Sequence, residues 1–228
     1  MNILALDCAV TRISLAVKTD SKFVSATYDI GMRQSEILVP SIDEILSKAE
    51  IKPSELDASV LTIGPGSFTG LRLGISALKA IELAHNVPVY GVSSLEAYAY
   101  PYKNLGFPVI SCIDANKDKF YVNITDKSKC LLKDGDYELK DILKIAKELD
   151  IALGAGPDIK KLEEKLMQYF EDGELKIIIP EVAPNPSEAL VKICEELIEK
   201  KAEPLKDFDG PVYLRASEAE IKLNSTNA

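Results

Sequence analysis

Two apolar, strand-like runs in this chain end at an aspartate, "LALDCAVT" and "SCIDANKD". Two others end in Gly-x-Gly ahead of a helical pattern, "LTIGPGSF" and "IALGAGPD". The pairs occur in the same order, with Asp7 and Asp114 107 residues apart and Gly64 and Gly154 90 apart. Unequal offsets exclude a strict tandem repeat, which needs a fixed period. What remains is one α/β unit used twice, with an insertion or deletion between its landmarks.

The periodicity around these landmarks fills in the unit. Ile3–Cys8, Ile13–Lys18 and Phe23–Tyr28 are apolar or β-branched runs with polar breaks, hence three strands. Glu36–Glu50 carries apolar residues at helical spacing, Ser59–Ile63 is a buried strand, and Phe68–His85 is a long helix. Val87–Tyr90 is a further strand, and Ser93 with Glu96 three residues on forms a capping box. From Phe107 the order restarts: strands at Phe107–Ile113, Phe120–Thr125 and Cys130–Lys133, a helix at Glu138–Leu149, and strand Ile151–Leu153. A helix with Pro157 in its first turn follows, where a missing N–H is tolerated. Lys176–Ile179 and Ser187–Lys201 complete the set as strand and helix. A duplicated βββαβα unit predicts a two-lobed α/β fold of the actin/Hsp70/sugar-kinase (ASKHA) class. The expected lobes are 1–103 and 104–215, with 216–228 a flexible tail.

The glycine loop "GPGSFTGLR" fits neither common catalytic loop. A phosphate-binding P-loop needs G-x-x-x-x-G-K-[ST], but three residues separate Gly66 from Gly70, and Leu71 and Arg72 follow. A nucleophile elbow needs G-x-S-x-G, whereas Ser67 directly follows Gly66. The chain's one histidine, His85, lies at the far end of the helix and reads as a C-terminal helix residue. Along that helix Gly70, Gly74, Ala77, Ile81 and Ala84 fall on one face, and Leu71, Ile75 and Leu78 form an apolar shoulder. Leu83 interrupts the polar stripe of Arg72, Ser76 and Lys79. Each interior glycine costs about 1 kcal/mol relative to alanine, so close packing has to offset it. One side of the helix faces its own sheet; the other requires a cover, from this chain or from another protein.

Composition excludes several functions. A net charge of −9, with 9 basic and 11 acidic residues in 1–103, lacks the basic footprint of an autonomous nucleic-acid binder. Cys8, Cys112, Cys130 and Cys194 form no CxxC pair, and with a single histidine they predict neither a zinc site nor a redox motif. Asp7 breaks the apolar N-terminus before a signal or spanning segment develops, so a soluble cytoplasmic chain is expected.

The strings "ILALDCAVTRISLAV", "SEILVPSIDEIL", "GPGSFTGLRLGISALKAIELAHNVPVYGVSSLEA", "CIDANKDKFYV" and "GPVYLR" occur in the order found in the TsaB (YeaZ) family, which the chain resembles closely over 2–97 and more thinly to Arg215. That resemblance implies a mainly non-catalytic subunit for threonylcarbamoyladenosine synthesis on tRNA. Its partner would be the paralogous TsaD, which holds the metal and transfers threonylcarbamoyl to N6 of adenosine 37. The TsaE ATPase would dock on the pair, the chain alone would form a homodimer, and tRNA would be met mainly through the complex. No peptidase chemistry is implied. Family members often read His-Ser-Glu where this chain has Gln34, Ser35 and Glu36, which argues against acid–base work there.

The expected partner or dimer face comprises Ile37, Leu38, Ser41 and Ile45 of the first helix with Gly70, Leu71, Gly74, Ile75, Ala77 and Leu78 of the second. No catalytic, metal or intrinsic cofactor residue is expected, and ATP or ADP only weakly or at the partner interface. Vestigial nucleotide contacts would be Asp7, Thr11, Asp114, Gly154 and Gly156, because carboxylates after a strand hold metal–phosphate in hydrolysing relatives of the fold. The alternative is a small-molecule kinase or ATPase of the same fold using Asp7 and Asp114.

Overall fold

The apolar runs ending at Asp7 and Asp114 are the central strands of two sheets in the computed structural model, which describes residues 1–31, 33–127, 129–171 and 174–215. The first half runs β1 (Ile3–Asp7), β2 (Arg12–Lys18), β3 (Phe23–Asp29), α1 (Gln34–Ala49), β4 (Ala58–Gly64), α2 (Phe68–His85), β5 (Val89–Ser93) and α3 (Ser94–Ala99). The second runs β6 (Val109–Asp114), β7 (Lys119–Asp126), β8 (Lys129–Glu138), α4 (Leu139–Ala146), β9 (Ile151–Ala155), α5 (Ile159–Leu166), β10 (Lys176–Ile178) and α6 (Pro186–Glu199). Both sheets have five strands in the same order, β3-β2-β1-β4-β5 and β8-β7-β6-β9-β10. In each, three antiparallel strands meet two parallel ones at the central strand. The duplicated, two-lobed α/β architecture expected from the landmarks is present.

Alternation along β1 explains how one strand serves two layers. Leu4 and Leu6 point to the side covered by α1 and α2, in a core with Leu15, Leu46, Leu61 and Leu78. Ile3 and Ala5 point to the other side, where α6 supplies Leu190, Val191, Ile193 and Cys194. The last helix of the second half therefore packs on the sheet of the first. The last helix of the first half does the reverse in part, with Ala99 and nearby Tyr102 packing on Val109, Leu153 and Ala155. The span 104–215 consequently does not keep to one lobe. Its α6 has an apolar face that the first sheet covers, and residues 205 and 212 hydrogen-bond to β5 and β4. The tail at 216–228 lies outside the described residues.

Local differences from expectation have local causes. β8 is longer than Cys130–Lys133 and runs through the polar stretch to Glu138. As an edge strand it pairs only with β7, so polar side chains on it stay wet. α4 stops at Ala146, short of Leu149. Pro157 precedes α5 rather than opening it, with Asp158 at the N-cap. The Ser93 side chain caps α3 through the Glu96 N–H as expected. No helix among the described residues is long and apolar enough to cross a membrane.

Candidate functional site

The glycine loop after β4 is a point where backbones press together. A Cβ on Gly64 would collide with the carbonyl of Val212, one on Gly66 with the carbonyl of Ala9, and one on Gly70 with the carbonyl of Cys8. The Gly64–Pro65 peptide is cis. The Ser67 N–H donates to the Ala9 carbonyl at 2.7 Å, tying the loop to the turn after β1. The Ser67 hydroxyl caps α2 by accepting from the Gly70 N–H at 3.2 Å. Gln34, buried at the start of α1, fills the remaining corner and donates its amide to the Val10 carbonyl at 2.5 Å. Gly74 is different: a Cβ there would sit 3.4 Å from Leu6, 3.5 Å from Leu61 and 3.7 Å from Cys8, all ordinary contacts.

These contacts redirect the expected partner face. Gly70, Leu71, Gly74, Ile75 and Leu78 are the buried face of α2 and point into the chain's own core. Leu38, Ser41 and Ile45 are likewise buried on α1, while Ile37 and Ala77 are half-buried. The small-residue stripe lets α2 come down on the end of β1, with Gly70 against the carbonyl of Cys8 just after the strand and Gly74 against the side chains of Leu6, Leu61 and Cys8. Only its far end remains accessible: Ala77, Ala80, Ile81 and Ala84 line a groove of about 310 Å³ with Val39, Ile42, Leu46 and Pro53, flanked by Asp43 and His85. Val39 and Leu83 are 64% and 88% exposed, anomalous for aliphatic side chains on these two helices. The sequence signal for this surface was Leu83 breaking a polar stripe; Val39 was missed.

The two landmark aspartates differ in accessibility. Asp7 is buried, and both its oxygens are engaged: Oδ1 accepts from Thr62 Oγ1 at 2.6 Å and the Ala9 N–H at 3.0 Å, Oδ2 from the Tyr98 hydroxyl at 3.2 Å. Burial raises its pKa against the opposing pull of these hydrogen bonds and of Arg12. Tyr98 is pushed well above its ordinary range by burial and by Asp7. Asp114 instead sits at the rim, accepting from the Asn116 N–H at 2.9 Å and from the Lys161 ammonium. Partial burial would raise its pKa, but Lys161, the Asn116 N–H and Lys165 outweigh it and hold it below the ordinary value.

A cleft of about 510 Å³ opens between the lobes, lined by Thr11, Arg12, Gly66, Ser67 and Phe68 on one side and Asp114, Asn116, Tyr121 and Asp158 on the other. Of the expected nucleotide contacts, Thr11 and Asp114 face this cleft. Asp7 does not line it, and Gly154 lies under Ile159, Ile177 and Ile179. Gly156, at φ +91°, presses on the carbonyl of Cys112. Magnesium–nucleotide sites use one or two carboxylates that face a phosphate; here Asp7 is engaged by three donors and Asp114 is paired with Lys161. Among the described residues, no three His, Cys, Asp or Glu side chains gather as a metal site.

Comparison with known proteins gives concordant matches. The family model described as TsaD, tRNA N6-adenosine threonylcarbamoyltransferase, matches residues 31–182. The tRNA threonylcarbamoyladenosine biosynthesis protein TsaB of Bacillus subtilis is 28% identical, over 97% of this chain and 97% of that protein. The Escherichia coli protein of the same name is 28% identical over 98% of both. Among solved structures, YeaZ from Pseudomonas aeruginosa superposes with a TM-score of 0.74 at 22% identity, covering 93% of this chain and 99% of that one.

Proposed function

The chain belongs to the TsaB (YeaZ) family of TsaD-like proteins, and from that premise we propose that it acts in threonylcarbamoyladenosine formation on tRNA as a non-catalytic, cytoplasmic scaffold subunit. It pairs with a TsaD-like catalytic subunit, and a TsaE-like ATPase docks on the pair. Alone it forms a homodimer. It carries no intrinsic cofactor, and ATP or ADP is met weakly or at the partner interface.

The observation that carries this reading is the apolar groove between α1 and α2, lined in part by the exposed Val39, together with the exposed Leu83 on α2. Covering an exposed aliphatic side chain of this size gains roughly 1.5–3 kcal/mol, which makes these helices the favourable place for a partner. Asp43 and His85 give the groove a polar border of the kind that surrounds an interface core. A net charge of −9 supports the reading that most tRNA phosphate contacts come from the partner rather than from this chain.

Reconstitution of TsaD-like and TsaE-like subunits with tRNA, ATP and threonylcarbamoyl precursors tests the role. Mass spectrometry should detect modified adenosine only when this chain is added. Equal product without it would overturn the scaffold assignment.

One observation favours a second reading: the interlobe cleft is large enough for a nucleotide. Calorimetry with magnesium–ATP on the isolated chain separates the two. Tight binding with turnover, abolished by Asp114→Asn in the cleft wall, would establish a kinase or ATPase.

A further inference from the structure

The chain passes between the lobes at 100–108 and again at 179–185. These crossings lie side by side, since Tyr100, Pro101, Lys103 and Asn104 share one cavity with Pro184 and Asn185. Two adjacent crossings make a hinge line, about which packed bodies rotate at low cost unless something bridges them away from it.

Such a bridge exists in the segment after α6. The Leu205 N–H donates to the Val89 carbonyl at 2.7 Å, and Lys79 Nζ donates to the Leu205 carbonyl at 2.7 Å. After a turn closed by Asp209 on the Lys206 N–H, the Val212 N–H donates to the Ile63 carbonyl at 2.7 Å. The Tyr213 ring stacks on Phe68 with centroids 3.9 Å apart and planes at 1°, and its hydroxyl accepts from Arg72 Nε at 2.8 Å. Two residues on, the segment has reached the other lobe. Arg215 makes a fork to Asp136 on β8, both bonds 2.7 Å, and a third 2.7 Å bond to the Ala115 carbonyl.

Phe68 lines one wall of the interlobe cleft, and Ala115 and Tyr121 line the other. The two anchors therefore stand on opposite sides of the cleft mouth. A bidentate Arg–carboxylate pair is directional as well as strong, so it fixes position more tightly than a lysine would. Gly64 is the matching device on the first lobe, because any side chain there would strike the Val212 carbonyl.

We propose that 205–215 is a strap that sets the opening of the interlobe cleft by pinning the second lobe, through Arg215, to the α2 end of the first, through Tyr213. Releasing either anchor lets the lobes turn about the paired crossings. The strap acts within one chain and requires no partner.

The test uses the full-length chain carrying Ser21→Cys on the turn between β2 and β3, with dyes on that residue and on Cys130, which is exposed while Cys8, Cys112 and Cys194 are buried. Single-molecule energy transfer then reads the spread of interlobe distances. Arg215→Gln and Tyr213→Ala should each broaden that distribution toward longer distances, with far-UV circular dichroism unchanged. Tyr213 lies on the surface, so its replacement leaves a folded chain even where the Arg215 variant does not. A distribution as narrow as wild type in folded Tyr213→Ala would overturn the proposal.

Discussion

The two lobes place the same elements in the same order but use the strand–Gly-x-Gly–helix junction differently. In the first, Gly66 lies over Ala9, two residues beyond the landmark aspartate, and Asp7 is buried under Thr62, the Ala9 N–H and Tyr98. In the second, Gly156 lies over Cys112, two residues before the aspartate, and leaves Asp114 at the rim. The third residue of the following helix shows the consequence. In α2 it is Gly70, pressed on the Cys8 carbonyl; in α5 it is Lys161, reaching out to Asp114. A shift in where one loop settles converts a potential ligand site into a core in one lobe and into a surface ion pair in the other. Strand order is thus compatible with either outcome, and the third helical position differs between them, a glycine against the Cys8 carbonyl in one lobe and a lysine on Asp114 in the other.

The largest effect that would break this comparison is at that position. Gly70→Ala should destabilise the chain by roughly 3 kcal/mol, at the upper end of overpacking costs, because the obstacle is the backbone carbonyl of Cys8 rather than a side chain that can step aside. Urea denaturation measures it. A midpoint like that of wild type would mean that α2 is not held against β1.

Next come opposite pH slopes. The folded-state pKa of Asp7 is raised, so the folded chain keeps that proton where the unfolded chain has lost it. Its contribution is full below the ordinary aspartate value and disappears as pH rises through the folded value. Asp114 is depressed, so its contribution is present above the ordinary value and disappears as pH falls through the folded one. Asp7→Asn should remove a loss of stability toward higher pH, and Asp114→Asn a loss toward lower pH. Melting temperature followed from acid to neutral pH in both variants checks the signs; parallel slopes would contradict the burial difference.

Smaller still is Gly74→Ala. With only ordinary contacts awaiting the new methyl, the helix gains up to about 1 kcal/mol of propensity, and the variant should melt slightly above wild type. A clear loss would show that α2 approaches β1 more closely than its Cβ distances imply. Lys161→Ala should change the melting temperature least, since half of that side chain is already in water.

Much of the fold was legible because its signals are local. The bounds of α2, Phe68–His85, follow from periodicity, and the two central strands from unbroken apolar runs. The direction of the glycine face was not legible. Spacing shows that Gly70 and Gly74 share a side of the helix, but not whether a strand of the same chain or a second protein occupies it. Asp7 and Asp114 likewise read alike, since nothing local records that Tyr98 arrives from α3 to close one of them. The return of α6 to the first sheet was hidden for the same reason, as its amphipathic face fits either layer. Leu83 was visible as a break in a polar stripe and Val39 was not singled out, and one chain's pattern marks an uncovered position without identifying what covers it.

The central claim is that the glycine face of α2 serves its own core while the α1–α2 groove receives the partner. Size-exclusion co-elution of this chain with a TsaD-like subunit tests it directly, using Ala80→Arg in the groove and Gly74→Ala on the buried face. The account predicts that Ala80→Arg abolishes co-elution at unchanged melting temperature while Gly74→Ala co-elutes as wild type does. Retained co-elution with Ala80→Arg would contradict it.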